Sequence, residues 1–349
     1  MSGYRRVAPL NRRSFLRGMG AIAAVGGLTA CSSAAPLAGR SEYTITVGHP
    51  SQSDHFHVAS FNHFKDLVEE RSSGRIAVRF YPDGIFGGDR ETIESVQMRY
   101  LQLGFSPSSS VAAFVPQMSI WDVPFLFDSL EHAYATLDSP FGQRILAETR
   151  EFNMLGLGYW DNGFRHLSTR ATKVESLADL RGLSVRVLEN PVHIRAWRSV
   201  GANPTPMAFG EVYVGLQQGT IDAQENALPN IETARFYEVQ RYVMLTQHIY
   251  GPQPFYINTD FFEDLPEDLQ EVVVSSELDA RQVCRDRSQG ADEQATRTIS
   301  ESGSEIVELT PDQRAEFAEP MQEGAEAYLR GVVGEELIDE LHDVVREYA

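Results

Sequence analysis

Short runs of β-forming apolar residues alternate with longer stretches of helical spacing along most of this 349-residue chain. Residues 43–48 alternate like a half-buried strand, and a helix is predicted over 54–71, closed by Ser72-Ser73-Gly74. The order then repeats. A strand over 75–81 ends at Pro82-Asp83-Gly84, a helix covers 90–100, and 101–105 reads as a third strand. Residues 153–160 form a further strand candidate, broken by Asp161-Asn162-Gly163. The pattern restarts at 183–188, with a helix at 191–200, an extended piece at 203–208 and a helix at 210–218. Two strands, 242–250 and 254–258, are separated by Gly251-Pro252; a long helix is expected over 265–302, and 310 to the end is largely helical.

Repeated strand-then-helix order predicts an α/β fold, with mixed or parallel sheets and helices on both faces. Residues 41–162 form one α/β unit and 163–251 a second. The remaining segment is expected to cross back, so 41–162 with about 252–291 makes one lobe and 163–251 with about 292–349 the other, with a cleft between them and one helix spanning both.

Composition adds an address to this frame. Residues 1–30 carry five arginines and no acid, and Asn11-Arg12-Arg13-Ser14-Phe15-Leu16 precedes a short Gly/Ala-rich apolar run, the form of an export signal of twin-arginine type. Leu28-Thr29-Ala30-Cys31 matches a lipobox, which makes Cys31 the expected lipidation site, and residues 31–40 form a tether. Without 1–30 the chain holds 25 bases against 49 acids, a net charge of −24. Nucleic-acid binding is excluded by that charge, and membrane contact is expected only through a lipid on Cys31. Cys284 is then the one other cysteine and reads as a small buried apolar residue.

Enzyme signatures are scarce. The sequence has no G-x-S-x-G, H-E-x-x-H or G-x-x-x-x-G-K, and Gly156-Leu157-Gly158 lacks the third glycine of a dinucleotide loop, so no cofactor is expected. His55-Phe56-His57 has an H-x-H spacing, but two residues apart on a helix point in nearly opposite directions. His55 suits a helix cap better, and no metal is expected.

Arg186 is the most informative position. In Leu183-Ser184-Val185-Arg186-Val187-Leu188 it lies on a short apolar strand, where an unpaired guanidinium costs several kcal/mol. Either Glu189, Glu211 or Glu225 meets it, or a ligand carboxylate does; the planar fork suits both. Arg165 follows the Asp161-Asn162-Gly163 break, on what is expected to be an adjacent strand, so the two arginines together could build a small positive site.

Around these positions the chain resembles a family. Gly163-Phe164-Arg165, the Arg186 strand, Gly201 through Tyr213 (with Phe209-Gly210-Glu211), Gln224-Glu225-Asn226 and Phe236-Tyr237-Glu238 occur in one order, with Phe86-Gly87-Gly88-Asp89-Arg90-Glu91 and Tyr159-Trp160-Asp161 upstream. Together they are similar to the solute-binding proteins of TRAP (tripartite ATP-independent periplasmic) transporters, the DctP-like family. That resemblance implies a periplasmic-binding-protein-like fold and a protein that binds without chemistry. Its ligand would be a small organic acid, of C4-dicarboxylate or of sugar-acid or 2-oxo-acid type, and its partners two integral membrane subunits. It places a carboxylate on Arg186, with Arg165 and Asn226 supporting the acid, Phe209 lining the site, and Glu225, Asp89 and Trp160 among the binding residues. Ser106-Pro107-Ser108 stands where some sialic-acid binders carry an acid, and argues against that ligand. Two other classes share these residues: a ligand sensor coupled to a membrane receptor, and an exported organic-acid lyase using His166 as base.

Overall fold

The structure, a computed structural model, describes residues 41–349; the export signal, the tether and Cys31 lie outside the described residues. Among the described residues nine strands form one mixed sheet: β1 (Tyr43–Gly48), β2 (Ile76–Tyr81), β3 (Leu103–Phe105), β4 (Met154–Thr169), β5 (Ser184–Val187), β6 (Asn203–Pro206), β7 (Ala223–Ala227), β8 (Tyr242–Asn258) and β9 (Glu305–Glu308). Their order is β2-β1-β3-β8-β4-β7-β5-β6, with β9 also on β8. Pairing is parallel among β1, β2 and β3, among β5, β6 and β7, and between β8 and β9; β3–β8, β8–β4 and β4–β7 are antiparallel.

β4 and β8 are 16 and 17 residues long and run through both halves of the sheet. One end of the pair joins β1, β2 and β3, and the other joins β5, β6, β7 and β9. Neither expected break ends a strand. At Asp161-Asn162-Gly163 the β4–β8 register shifts, and pairing resumes at Phe164 opposite Tyr250. The turn is pinned locally. Asp161 Oδ1 accepts from Gly163 N at 2.9 Å and from the Tyr250 hydroxyl at 2.6 Å, while Oδ2 accepts from the Tyr134 hydroxyl at 2.7 Å. Gly163 has φ +82°, where a residue with a Cβ is strained. Pro252, which lacks an N–H, sits opposite Asp161, so the missing donor falls at the shift.

Helices cover both faces. Phe56–Arg71 lies against the 35-residue helix Glu267–Glu301, and both pack on Ile45, Val47, Phe105 and Phe255. At about 1.5 Å per residue that long helix extends about 52 Å. It buries Ala280 and Cys284 in the first half of the molecule and Ala295 and Ile299 in the second, against Val212, Leu216 and Val243. Pro191–Ser199 packs on Pro311–Val333 through Ala196, Trp197, Phe317 and Met321. The last helix, Glu335–Tyr348, returns to Leu130–Asp138, where His132 Nε2 lies 2.8 Å from the Val345 carbonyl. No described helix is long and apolar enough to cross a membrane.

Candidate functional site

Alternation along β5 sends Val185 and Val187 into the core and Arg186 to the opposite face, beside the carboxyl ends of the parallel strands. Arg186 is 1% exposed. Its Nε and Nη2 donate to the Met207 carbonyl at 2.9 and 2.7 Å, and its Nη1 has no hydrogen-bond partner among the described residues. None of Glu189, Glu211 or Glu225 forms an ion pair with it. Burial pulls its pKa down to about 10, so the side chain stays charged at neutral pH.

Two adjoining cavities, the second smaller, share Asp89, Arg186, Leu188 and Phe209 in their walls. Asp89 comes from the half of the molecule that holds β1, β2 and β3; Arg186, Leu188 and Phe209 come from the other. The smaller cavity also reaches His49, Asn162, Asn226, Asn230 and Gln253. The result is a cleft between the two halves of the sheet.

Arg165 differs from Arg186. β7 lies between β4 and β5, so the two arginines are not on adjacent strands as expected. Arg165 Nε donates to Glu225 Oε2 at 2.5 Å, Nη2 donates to Oε1 at 3.0 Å and to the Glu225 carbonyl at 2.6 Å, and Nη1 donates to Asn226 Oδ1 at 3.2 Å. Its charge is therefore neutralised from within, and among the described residues the free positive charge of the cleft floor rests on Arg186. Asn226 Oδ1 also accepts from Ala227 N and Asn230 Nδ2, both at 3.0 Å, which fixes the amide.

Behind this pair lies a buried polar chain. His248 Nε2 is 3.2 Å and His193 Nδ1 3.6 Å from the Glu225 carboxylate. Asp122 takes Ser109 Oγ at 2.5 Å and Asn190 Nδ2 at 2.9 Å, and lies 3.2 Å from His193 Nε2. Burial by itself would raise Glu225, but the Arg165 charge and the histidine hydrogen bonds outweigh it and hold the carboxyl well below its usual range. Burial would likewise lower His193, but hydrogen bonds to Asp122 and Glu225 raise it. Asp122 and His193 carry no motif in the sequence: Asp122 lies in an apolar 3₁₀ turn and His193 on a helix, with no local pattern linking them.

Two expected positions fall away from the cleft. Trp160 is a core residue, stacked on Phe255 at 4.6 Å with its Nε1 donating to Glu277 Oε1 at 3.2 Å. Its strand position sends it to the face covered by the long helix, which motif resemblance does not encode. His166 is buried outside the cleft walls, and its pKa is pulled down to about 3 by burial and the nearby His248, Arg314 and Arg165. His55 caps its helix by accepting from His57 N at 3.2 Å. Among the described residues no cluster of His, Cys, Asp and Glu is arranged to hold a metal ion.

Residues 47–330 match the family model of bacterial extracellular solute-binding proteins, family 7 (DctP). The chain belongs to this family. The family 7 chain is 35% identical over 257 residues to the 2,3-diketo-L-gulonate-binding periplasmic protein of Escherichia coli (strain K12), covering 74% of this chain and 78% of that one. The sugar acid binding protein of Advenella mimigardefordensis strain DPN7T, solved with galactonate, superimposes with a TM-score of 0.85 at 29% identity, covering 88% of this chain and 98% of that one. A TRAP periplasmic solute-binding protein from Sulfurospirillum deleyianum DSM 6946 with bound succinate gives 0.83 at 30% identity, covering 87% and 100%. Both neighbours share the α/β architecture, and family 7 proteins are substrate-binding proteins, not enzymes.

Proposed function

We propose that this protein is the extracytoplasmic capture subunit of a TRAP transporter, taking up a small organic acid through Arg186 and delivering it to the membrane subunits. One observation carries this reading: a guanidinium 1% exposed, in the wall of a cleft, with one nitrogen uncommitted among the described residues. Such a group is costly until an anion meets it, and a carboxylate supplies the matching oxygens. Charge-assisted hydrogen bonds of this kind contribute about 1.5–3 kcal/mol each. Micromolar capture needs about 8 kcal/mol net, so further contacts from both sides of the cleft are required.

Those contacts come from Asp89 and His49 on one side and Phe209 and Asn226 on the other, which makes ligand binding favour closure of the lobes. The lobes are 41–162 with about 252–291, and 163–251 with about 292–349. The Arg12-Arg13 signal and Cys31 support export and a lipid anchor. The long-range field of a chain this acidic repels anions, so selectivity comes from short-range pairing in the closed cleft. Calorimetry with a panel of dicarboxylates, sugar acids and 2-oxo acids tests the reading: at least one binds the native protein, and Arg186→Ala abolishes that binding in a folded chain. Retained affinity in the variant rejects the role of Arg186.

A further inference from the structure

The remaining polar atoms of the cleft describe the far end of the ligand. Asp89 begins the helix Asp89–Gln97 and faces Arg186 from the opposite side of the cavity. Its Oδ2 accepts from Ser110 Oγ at 3.2 Å, while its Oδ1 is buried without a hydrogen-bond partner among the described residues. Gln253 Oε1 is in the same condition. His49 stacks on Phe105 at 4.2 Å and accepts Ser51 N on Nδ1 at 3.1 Å, so the neutral ring carries its proton on Nε2, which is likewise buried and unpartnered. In the smaller cavity the buried atoms without a partner among the described residues are thus one charged donor, one neutral donor and two acceptors.

The charges in the walls point the same way. Three arginines line the two cavities, but Arg165 is neutralised by Glu225, and Arg90 lies exposed at the rim with its Nε 3.2 Å from Glu94. Against them stand Asp89, Glu91 and Glu189. After Arg186 takes one carboxylate, a second meets three acids and, among the described residues, no uncommitted buried cation. A hydroxyl fits where a carboxylate does not, because it can donate to Asp89 Oδ1 and accept from His49 Nε2. Burial lifts the Asp89 carboxyl to about 6 against the pull of Ser110 and the two arginines, so it is largely ionised, and an acceptor, at neutral pH.

We infer that the cleft selects a polyhydroxylated monocarboxylate over a dicarboxylate of equal length, with Asp89 as the specificity-determining residue that receives a ligand hydroxyl. This rests on the reading of Arg186 as the carboxylate anchor. A site built to bond a hydroxyl rejects the analogue that lacks it, because its buried acceptor is left unpaired. The solved relatives hold both kinds of acid and do not decide the matter.

Calorimetry on the purified protein with threonate against succinate, and gluconate against adipate, compares acids of four and six carbons. The hydroxylated member of at least one pair binds 30-fold or more tighter than its dicarboxylate. Asp89→Asn lowers the affinity for the preferred hydroxy acid about tenfold and raises succinate or adipate affinity threefold or more; Asp89→Ser narrows the same ratio by a second route. Equal or tighter binding of the dicarboxylates overturns the inference while leaving the organic-acid function standing. A hydroxy-acid preference that neither variant alters overturns the role of Asp89. Binding of none of the four acids overturns this inference, and binding of no acid in the wider panel of dicarboxylates, sugar acids and 2-oxo acids removes the organic-acid reading itself.

Discussion

Arg165 and Glu225 face each other from neighbouring strands, Nε to Oε2 at 2.5 Å and Nη2 to Oε1 at 3.0 Å, with both side chains sealed from solvent. Twenty-one residues further along, Arg186 is equally buried and, among the described residues, its side chain bonds only to the Met207 carbonyl. The two guanidiniums therefore have opposite consequences for stability.

Removing one partner of a buried ion pair leaves the other uncompensated, at about 3–5 kcal/mol. Glu225→Gln and Arg165→Met are each expected to destabilise the protein by that amount in urea unfolding. The double variant should lose at least 2 kcal/mol less than the two single losses added together. Additive losses would mean that the pair is not coupled.

Arg186→Met has the opposite expectation. The native side chain is desolvated with an unpartnered nitrogen, and methionine fills similar space without charge. Ligand-free stability should stay level or rise by about 1 kcal/mol, while ligand binding disappears. A loss above 2 kcal/mol would show that the bonds to Met207 hold the fold together and that the arginine is structural.

Asp292 carries the pH prediction. It lies on the long helix with Oδ1 unpartnered among the described residues, and burial, helped by nearby Asp161, lifts its carboxyl from 3.8 to about 7. Between about pH 4 and 7 the native chain holds a proton that the unfolded chain has released. Its contribution to stability therefore falls as pH rises through that window. Asp292→Asn should stabilise the protein by an amount on the order of 1–3 kcal/mol at pH 8, and by almost nothing at pH 4, in paired urea titrations. An equal gain at both values would trace the effect to packing.

How far the chain could be read in advance depended on whether local chemistry and tertiary pairing agree. β1, β2 and β5 follow their apolar alternation, and Arg186 on its strand was visible for that reason. β7 was not: Gln224-Glu225-Asn226 has the composition of a solvated turn, and it lies fully inside the sheet because most of its polar groups find distant partners, Gln224 Oε1 being the exception among the described residues. Gln224 Nε2 donates to Ser168 Oγ at 2.8 Å, and Glu225 meets Arg165. The turn signals at Asp161-Asn162-Gly163 and Gly251-Pro252 are real, yet pairing between β4 and β8 absorbs them as a register shift. Across 106–152, Ser129 and Ser139 cap two consecutive helices by accepting from His132 N and Gly142 N, so two helix starts there are encoded locally by serine. His49 and Asp89 follow from neither periodicity nor charge; only the convergence of strand ends places them in one cavity.

The unbroken passage of β4 and β8 through both halves also bears on how such a protein can be re-engineered. A cut at the register shift would sever both long strands and leave four chain ends in mid-sheet, so neither half can be lifted out as a cassette and joined to a foreign mate. New specificity has to be grafted piecemeal at the loops that rim the cavity, with the shared two-ribbon spine left untouched.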